Sequence, residues 1–287
     1  MSMVESHAPN WEAVQGEIRC PLCDYNLRGL SEPRCPECGY AFAWDEILDP
    51  TRRHHRYLFE HHPNHNLWSF FKTLSGGFRP KRFWRELHPL QKSNRWRLRL
   101  YLLLVIAATC IPIVIDGFWR VPRTSGWRSF LSRSIRDDLA WRVATRFPWN
   151  MLNWPLRAER QQLVVGVSLA LIALPILNYG LLMIFQQTMR KVNVGAHHVQ
   201  RCVIYSADVM FWPVVPLCVM LVYNGLSPTR EWDEPIAWTL LIEFIVVWLV
   251  MTWRLVSAYR HYLRFDHPAG TILSIQLMIF LLLLLII

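Results

Sequence analysis

The stretch LVVGVSLALIALPILNYGLLMIF, residues 163–185, decides the fold class because it is apolar along its whole length and carries no charged side chain. A helix needs about 20 such residues to cross the ~30 Å hydrocarbon core of a bilayer. Four other blocks approach it in length and composition. The sequence therefore predicts a membrane all-α protein, a bundle of five transmembrane helices at 98–116, 163–185, 203–226, 236–254 and 271–287.

The overall composition agrees with a membrane protein. Of the 287 residues, 53% are hydrophobic and only 18% are charged, whereas soluble domains usually carry about 25% charged residues. This balance argues against an ordinary water-soluble enzyme. The formal net charge of +10 suits an anionic membrane surface or a nucleic acid.

Four cysteines before the first span form the most specific motif. The segments CPLC at 20–23 and CPEC at 35–38 each hold a pair of thiols. Two such pairs are typical of a structural zinc site, in which four thiolates surround one tetrahedral ion and leave no open position for catalysis. We therefore expect a zinc ribbon that binds one zinc ion through Cys20, Cys23, Cys35 and Cys38, with Gly39 taking a positive φ. Two disulfides or a redox pair are the alternative and require an oxidising compartment.

The charge of the ribbon indicates the kind of partner it binds. Between Arg19 and Trp44, three cations are balanced by three anions. A neutral ribbon lacks the basic surface that phosphate binding requires. We therefore expect the ribbon to contact a cytosolic protein partner rather than nucleic acid.

The segment that follows is basic and aromatic. Leu67, Phe70, Phe71 and Leu74 have the spacing of one apolar face of a short helix, and Pro80 can begin a second helix. Nine Lys or Arg residues lie between 72 and 99, against a single acid. This composition is typical of interfacial helices that bind anionic lipid headgroups, and a solvated charged linker is the alternative.

These shifts in composition predict four regions: a flexible N-terminus at 1–18, the zinc ribbon at 19–45, a basic amphipathic interfacial linker at 46–97 and a five-span membrane domain at 98–287.

The membrane topology follows from the positions of the cations. Residues 1–19 contain no apolar run, so we expect no signal peptide and a cytosolic N-terminus. This orientation places fifteen Lys or Arg residues near the spans on the inner side and ten on the outer side. Most of the outer cations lie in the loop 117–160, which we expect to form an amphipathic helix on the outer surface. The C-terminus then lies at the outer face.

Polar residues within the spans have two interpretations. Asn178, Asp208, Glu243 and Gln276 are candidates for function because polar groups are costly in lipid. The simpler interpretation is interhelical hydrogen bonding that fixes packing. A small-solute transporter that uses Asp208 and Glu243 is one alternative function, although no inverted repeat of the kind found in transporters is present.

Histidines supply the other alternative function. The chain contains 11 His, and imidazole is a suitable ligand for iron, so a membrane di-iron oxygenase or desaturase is an alternative. The spacing argues against it, because Pro63 interrupts the helix that would align His61, His62 and His65. In the expected topology nine histidines that face the cytosol are candidates for this site: His54, His55, His61, His62, His65, His197, His198, His261 and His267.

Parts of the sequence resemble known membrane proteins. The stretch CPLCDYNLRGL at 20–30, with RCPECG at 34–39, resembles the ribbon that opens a group of uncharacterised bacterial zinc-ribbon-plus-multispan membrane proteins. The segments 60–87 and 205–208 resemble the membrane part of that group. Five spans with a cytosolic N-terminus are similar to the Yip-type domain family. The resemblance implies the bacterial inner membrane, a role in membrane organisation or trafficking, and no catalytic residue.

The sequence therefore predicts a non-enzymatic integral membrane scaffold or adaptor. Its expected cofactor is one structural zinc ion. Its expected partners are the lipid bilayer, anionic headgroups and a cytosolic protein that contacts the ribbon, and association between copies of the chain is a further option.

Overall fold

The computed structural model describes residues 9–12, 16–49, 53–120, 160–188, 194–226, 233–265 and 267–286. In these ranges the protein is helical and contains no β-strand, only two isolated bridges that pair Arg19 with Asn26 and Arg34 with Ala41. The expected flexible N-terminus is only partly described, and most of the arginine-rich loop at 117–160 lies outside the described residues.

Ten α-helices are described, and we number them in chain order. They are α1 Trp44–Leu48, α2 Asn66–Gly76, α3 Pro80–Glu86, α4 Arg95–Thr109, α5 Ile111–Arg120, α6 Arg160–Thr188, α7 Ala196–Ala207, α8 Val214–Leu226, α9 Asp233–His261 and α10 Pro268–Ile286. A 3₁₀ turn, Asp208–Phe211, follows α7.

Four helical stretches are long and apolar enough to cross a membrane, namely Arg95–Ile115, Gly166–Phe185, Ala196–Tyr223 and Trp238–His261. They correspond to the first four predicted spans, and their composition supports a membrane protein. The fifth predicted span falls on α10, where the apolar stretch Pro268–Leu282 is shorter. Five spans therefore stay a prediction.

Proline explains where two of these stretches are interrupted. The first breaks at Cys110, two residues before Pro112, and the third changes to a 3₁₀ turn before Pro213. Proline has no amide hydrogen and its ring clashes with the preceding turn, so the regular hydrogen-bond pattern is lost there. Pro175, in contrast, lies inside α6 without ending the helix.

The described residues group into two compact units. The first consists of Met1–Tyr101, Tyr179–Ser206 and Arg254–Thr271 and therefore includes the four cysteines. The second consists of Leu102–Asn178, Ala207–Trp253 and Ile272–Ile287. A leucine cluster formed by Leu217, Leu221 and Leu240 is buried in the second unit.

Polar side chains connect three helices in the second unit. The Gln276 amide donates to Oδ1 of Asn178 at 2.6 Å and accepts a hydrogen bond from the indole of Trp248. The Asn178 amide donates in turn to the Leu174 carbonyl at 2.8 Å. The interhelical hydrogen bonding expected for Asn178 and Gln276 is therefore present.

We expect Asn178→Leu to lower the free energy of unfolding by about 1 kcal/mol, because the buried Gln276 amide loses its acceptor. Thermal denaturation of the full chain in detergent measures this loss. Ile176→Leu, two residues away on an exposed part of α6, is the matched control and should leave the midpoint unchanged. Equal stability of the two variants would contradict a packing role for this network.

Candidate metal site and its buried hydrogen-bond network

The four cysteines lie on two turns of the same design, the first cysteine turn at 20–24 and the second at 35–39. In each turn the amide of the fifth residue donates to the carbonyl of the first, at 3.0 Å in one and 2.9 Å in the other. The amide of the first cysteine then donates to the carbonyl one position beyond the turn, at 2.7 and 2.9 Å. The repeated CPxC sequence therefore folds twice into one local structure.

The fifth residue of each turn lies in the left-handed region of backbone space. Gly39 has φ of +70°, as the sequence predicts, and Asp24 has φ of +60° in the equivalent position. Glycine adopts this conformation without strain, and aspartate tolerates it better than most other residues. These two residues let the chain reverse so that both cysteines of a pair face the same point.

The four sulfur atoms converge. All lie within 4.8 Å of one another, with 3.6 Å between Cys20 and Cys38 and 3.5 Å between Cys23 and Cys35. A disulfide bond would require about 2.05 Å, and the four cysteines are free. Sulfurs at these separations can surround one tetrahedral metal ion, for which each metal–sulfur distance is about 2.3 Å.

The Cys20 thiol ionises more readily than an isolated thiol. The hydrogen bond from Cys38 lowers the pKa of the Cys20 thiol to about 5. The same bond and burial raise the pKa of the Cys38 thiol. A thiolate is the form that binds metal, and a cation would stabilise the remaining three thiolates as well. The residues present therefore fit a metal ion with four sulfur ligands.

The cysteine module, residues 18–42, is held against other parts of the first unit. The Gly195 amide donates to the Leu22 carbonyl at 2.7 Å, and Arg264 donates to the Ala41 carbonyl at 3.1 Å. In addition, Nε2 of His198 donates to the Pro21 carbonyl. Two of these acceptors lie inside the first cysteine turn, so the turn that carries Cys20 and Cys23 is docked directly on the start of α7.

The ring of His198 connects the Pro21 carbonyl with buried side chains in the interior of the first unit. Because its Nε2 faces a carbonyl, that nitrogen carries the hydrogen and Nδ1 is the acceptor. The Tyr262 hydroxyl donates to Nδ1 at 2.6 Å and accepts from Arg201 at 3.0 Å. A directed chain of hydrogen bonds therefore runs from Arg201 through Tyr262 and His198 to Pro21.

Arg201 also forms an ion pair with Glu60. Its Nε lies 2.9 Å from Oε1 of Glu60, and both side chains are completely inaccessible to solvent. The Tyr205 hydroxyl donates to Oε1 at 2.9 Å, and the Asn94 amide donates to Oε2 at 3.1 Å. A second nitrogen of Arg201 donates to the Gln91 carbonyl at 3.0 Å. In addition to the opposite charge, Glu60 thus accepts two hydrogen bonds and Arg201 donates two.

The charge state of Glu60 follows from its surroundings. Burial alone would raise the pKa of the carboxyl group, but the Arg201 guanidinium and the hydrogen bonds outweigh burial and hold the pKa below its ordinary value. Glu60 is therefore a carboxylate at neutral pH, and the ion pair is intact.

The sequence analysis did not predict this network. It counted Arg201 only among the cations on the inner side of the membrane. One signal was available. His198, Arg201 and Tyr205 are spaced i, i+3 and i+7 and therefore share one face of α7. A helix face that combines an arginine with aromatic hydroxyl and imidazole groups indicates a buried polar network rather than a lipid-facing surface.

Several of the histidines considered as iron ligands instead form hydrogen bonds with backbone groups of the chain. The His55 amide donates to Nδ1 of His61 at 2.9 Å, and Nε2 of His61 donates to the Lys92 carbonyl at 3.0 Å. His62 donates to the His55 carbonyl. Burial lowers the pKa of His55 to about 4 and also lowers that of His61, so both rings are neutral. Among the described residues, the four cysteines are the only group of three or more metal-ligating side chains that converge.

The two acidic residues suggested for transport lie in the second unit. Asp208 is buried at the first position of the 3₁₀ turn, and Glu243 is partly exposed on α9.

Comparison with protein-family models finds no match to the chain, and comparisons with curated proteins and with solved structures find none either.

We expect Glu60→Gln to lower the free energy of unfolding by about 3 kcal/mol, because Arg201 would keep a buried charge without its counter-ion. Chemical denaturation of the full chain in detergent measures the difference from the unmodified protein. Glu86→Gln removes the acid of an exposed ion pair with Arg82 and should have no measurable effect.

The difference in unfolding free energy between the unmodified protein and Glu60→Gln should depend on pH. The pKa of Glu60 is lower in the folded than in the unfolded protein, so its contribution is fully present above about pH 4.3, the ordinary value for glutamate. The contribution is lost as the pH falls through the lower, folded value. The stability gap between the unmodified protein and Glu60→Gln should therefore be constant from neutral pH down to about pH 4.3, shrink as the pH falls from there to the folded pKa, and be closed below it. A gap that closes near neutral pH would show that Glu60 is not a buried carboxylate.

Proposed function

We propose that the chain is a non-enzymatic membrane scaffold or adaptor, in which a zinc-bound cysteine module presents a protein-binding surface on the cytosolic side of the membrane. The observation that carries the proposal is the docking of the cysteine module on the start of α7. Because the module is fixed by Gly195 and His198, a partner bound to it would be held in a defined position relative to the membrane.

Zinc is the metal that best fits the module. Zinc readily accepts four thiolates in tetrahedral geometry, and such sites are structural because no position remains for a substrate or water. When bound, the ion supplies the attraction that keeps four thiolates together. The paired cysteine turns support the interpretation of the module as a zinc ribbon.

The surface of the module suits a protein partner. A shallow hollow of about 380 Å³ lies beside the second cysteine turn and is lined by Leu30, Ser31, Glu32, Arg34, Cys35, Pro36 and Gly39. It combines one acid, one base and apolar side chains, whereas a phosphate-binding surface would be mainly basic. Tyr25, which is 40% exposed, adds the kind of amphipathic ring that is common at protein interfaces.

The resemblance to Yip-type proteins gives the proposal its cellular setting. The proposed role is membrane organisation or trafficking in a bacterial inner membrane, with the N-terminus in the cytosol. The di-iron alternative is disfavoured because His55, His61, His62 and His198 contact backbone groups through their ring nitrogens. No observation favours the transporter.

Metal content tests the first part of the proposal. Elemental mass spectrometry of the detergent-purified chain should find about one zinc per polypeptide and no iron. The double variant Cys35→Ser/Cys38→Ser should lose the zinc, whereas Cys110→Ser/Cys218→Ser, which removes two cysteines away from the module, should retain it. One zinc together with roughly two irons would contradict the proposal and indicate a His-ligated centre.

The docking of the module should be visible in the rate of zinc release. We expect His198→Ala to release zinc to a chromogenic chelator roughly tenfold faster, because the Pro21 carbonyl beside the ligands loses its hydrogen-bond donor. His65→Ala, which changes an exposed histidine, is the control. Equal rates for both variants would mean that the module is not held by α7.

Partner binding tests the adaptor role itself. A photo-crosslinking residue at Tyr25, within the full chain in cells, should give one dominant protein adduct that disappears in Cys35→Ser/Cys38→Ser. A crosslinker at the exposed Asp45 is the comparison position. A pattern of adducts that does not depend on the cysteines would contradict a specific partner site on the module.

A further inference from the structure

The helix α2 has apolar side chains on two faces. Phe70 and Leu74 point inward and are buried. Leu67, Trp68 and Phe71 point outward and are 78%, 52% and 54% exposed. Together with Phe78, which follows the helix and is 60% exposed, these three outward residues form what we call the exposed apolar face. Exposed apolar side chains that cluster in this way mark an interaction surface.

Contacts with α4 determine where this face lies. The Phe70 ring packs against the Tyr101 ring with 5.2 Å between centroids, and Nη2 of Arg97 donates to Oδ1 of Asn66 at 2.6 Å. Arg97 and Tyr101 belong to the first two turns of the candidate span that begins at Arg95. α2 is therefore attached to the end of a membrane-crossing helix.

A bilayer entered at Arg95, where the candidate span begins, would place this attachment near the bilayer edge. Tyr101 lies about 9 Å along the helix from Arg95 at a rise of ~1.5 Å per residue. The headgroup layer on each side of the hydrocarbon core is roughly 5–8 Å thick. Trp96, which is 73% exposed, also lies at this level, where tryptophan is enriched in membrane proteins.

The charges around the face fit an anionic lipid surface. Lys72 on α2, Arg79 before α3, and Lys81, Arg82 and Arg85 on α3 are all exposed. Glu86 is the one acid in this stretch, and its charge is balanced by Arg82. Basic side chains beside exposed Trp and Phe are characteristic of helices that lie in the membrane interface.

We propose that the exposed apolar face inserts into the headgroup–acyl boundary of an anionic bilayer, so that α2 and α3 lie flat on the membrane beside the first span. The inference deepens the proposed function, because it rests on the membrane location and names the lipid class that orients the cytosolic part of the scaffold. It also corrects the predicted helix face, since Phe70 and Leu74 belong to the protein core and Trp68 and Phe78 take their place at the lipid.

Depth-dependent quenching tests the proposal on the full chain in vesicles. A fluorescent non-natural residue is placed at Phe71, and the protein is reconstituted in phosphatidylcholine with phosphatidylglycerol, with or without bromine on the upper acyl chains. We expect the brominated lipid to quench most of the emission and aqueous iodide to quench little. The same probe at Glu37, an exposed position on the cysteine module, should show the reverse.

The lipid class is tested by changing the vesicles. In pure phosphatidylcholine the probe at Phe71 should shift toward iodide quenching, and the combined variant Lys72→Gln/Lys81→Gln/Arg85→Gln should show the same shift in anionic vesicles. Iodide quenching without bromolipid quenching in anionic vesicles would overturn the proposal. Protection from both quenchers that grows with the ratio of protein to lipid would overturn it in favour of a second copy of the chain.

A pair of neighbouring phenylalanines separates lipid contact from folding. Phe71→Ser should leave the thermal midpoint in detergent unchanged, because the ring is exposed there, and should abolish bromolipid quenching of a probe at Trp68. Phe70→Ser should lower the midpoint because it removes a buried ring. Zinc content should stay at one per chain in Phe71→Ser, so failure of this proposal is distinguishable from failure of the metal site.

Discussion

The ion pair between Glu60 and Arg201 is the interaction on which the first unit depends. Removing two charges from water costs several kcal/mol for each ion unless hydrogen bonds and mutual attraction compensate. Here Tyr205 and the Asn94 amide donate to Glu60, and the Gln91 carbonyl accepts from Arg201. The pair therefore specifies one arrangement of the segment before the first span and of α7, because any shift would leave a buried charge without a partner.

The candidate metal site is linked to this ion pair through a series of hydrogen bonds. A module as small as 18–42 cannot bury enough apolar surface to fold on hydrophobic contacts alone, so docking, together with a metal ion where one is bound, must supply part of its stability. The docking contact through His198 is fixed by Tyr262, and Tyr262 is fixed by Arg201. The position of the four cysteines relative to α7 is thus determined by side chains that lie outside the module.

Sequence patterns predicted the features that are set by residues close together in the chain. They did not predict contacts between residues far apart in the chain. The spacing of Cys20, Cys23, Cys35 and Cys38 was enough to predict their convergence, and long apolar runs were enough to predict four helices of the length and composition needed to cross a membrane. The pairing of Glu60 with Arg201 was not predictable, because nothing near either residue encodes its partner. The helical periodicity likewise placed Phe70 and Phe71 on the same lipid-facing side of α2, whereas Phe70 is buried and Phe71 is exposed. A period of 3.6 residues identifies a broad apolar stripe but does not show which edge of that stripe contacts the protein.

The separation of Glu60 from its partners on α7 along the chain has a consequence for biosynthesis. Glu60 and Tyr205 are 145 residues apart, and Tyr262, which completes the contacts of Arg201, is synthesised later still. At roughly 5–20 residues per second, a ribosome needs on the order of ten seconds to travel from Glu60 to Tyr205. During this interval the glutamate has no counter-ion from α7, although the first two candidate spans have already been synthesised. The first unit therefore completes its buried ion pair only after two helices long and apolar enough to cross a membrane have been synthesised.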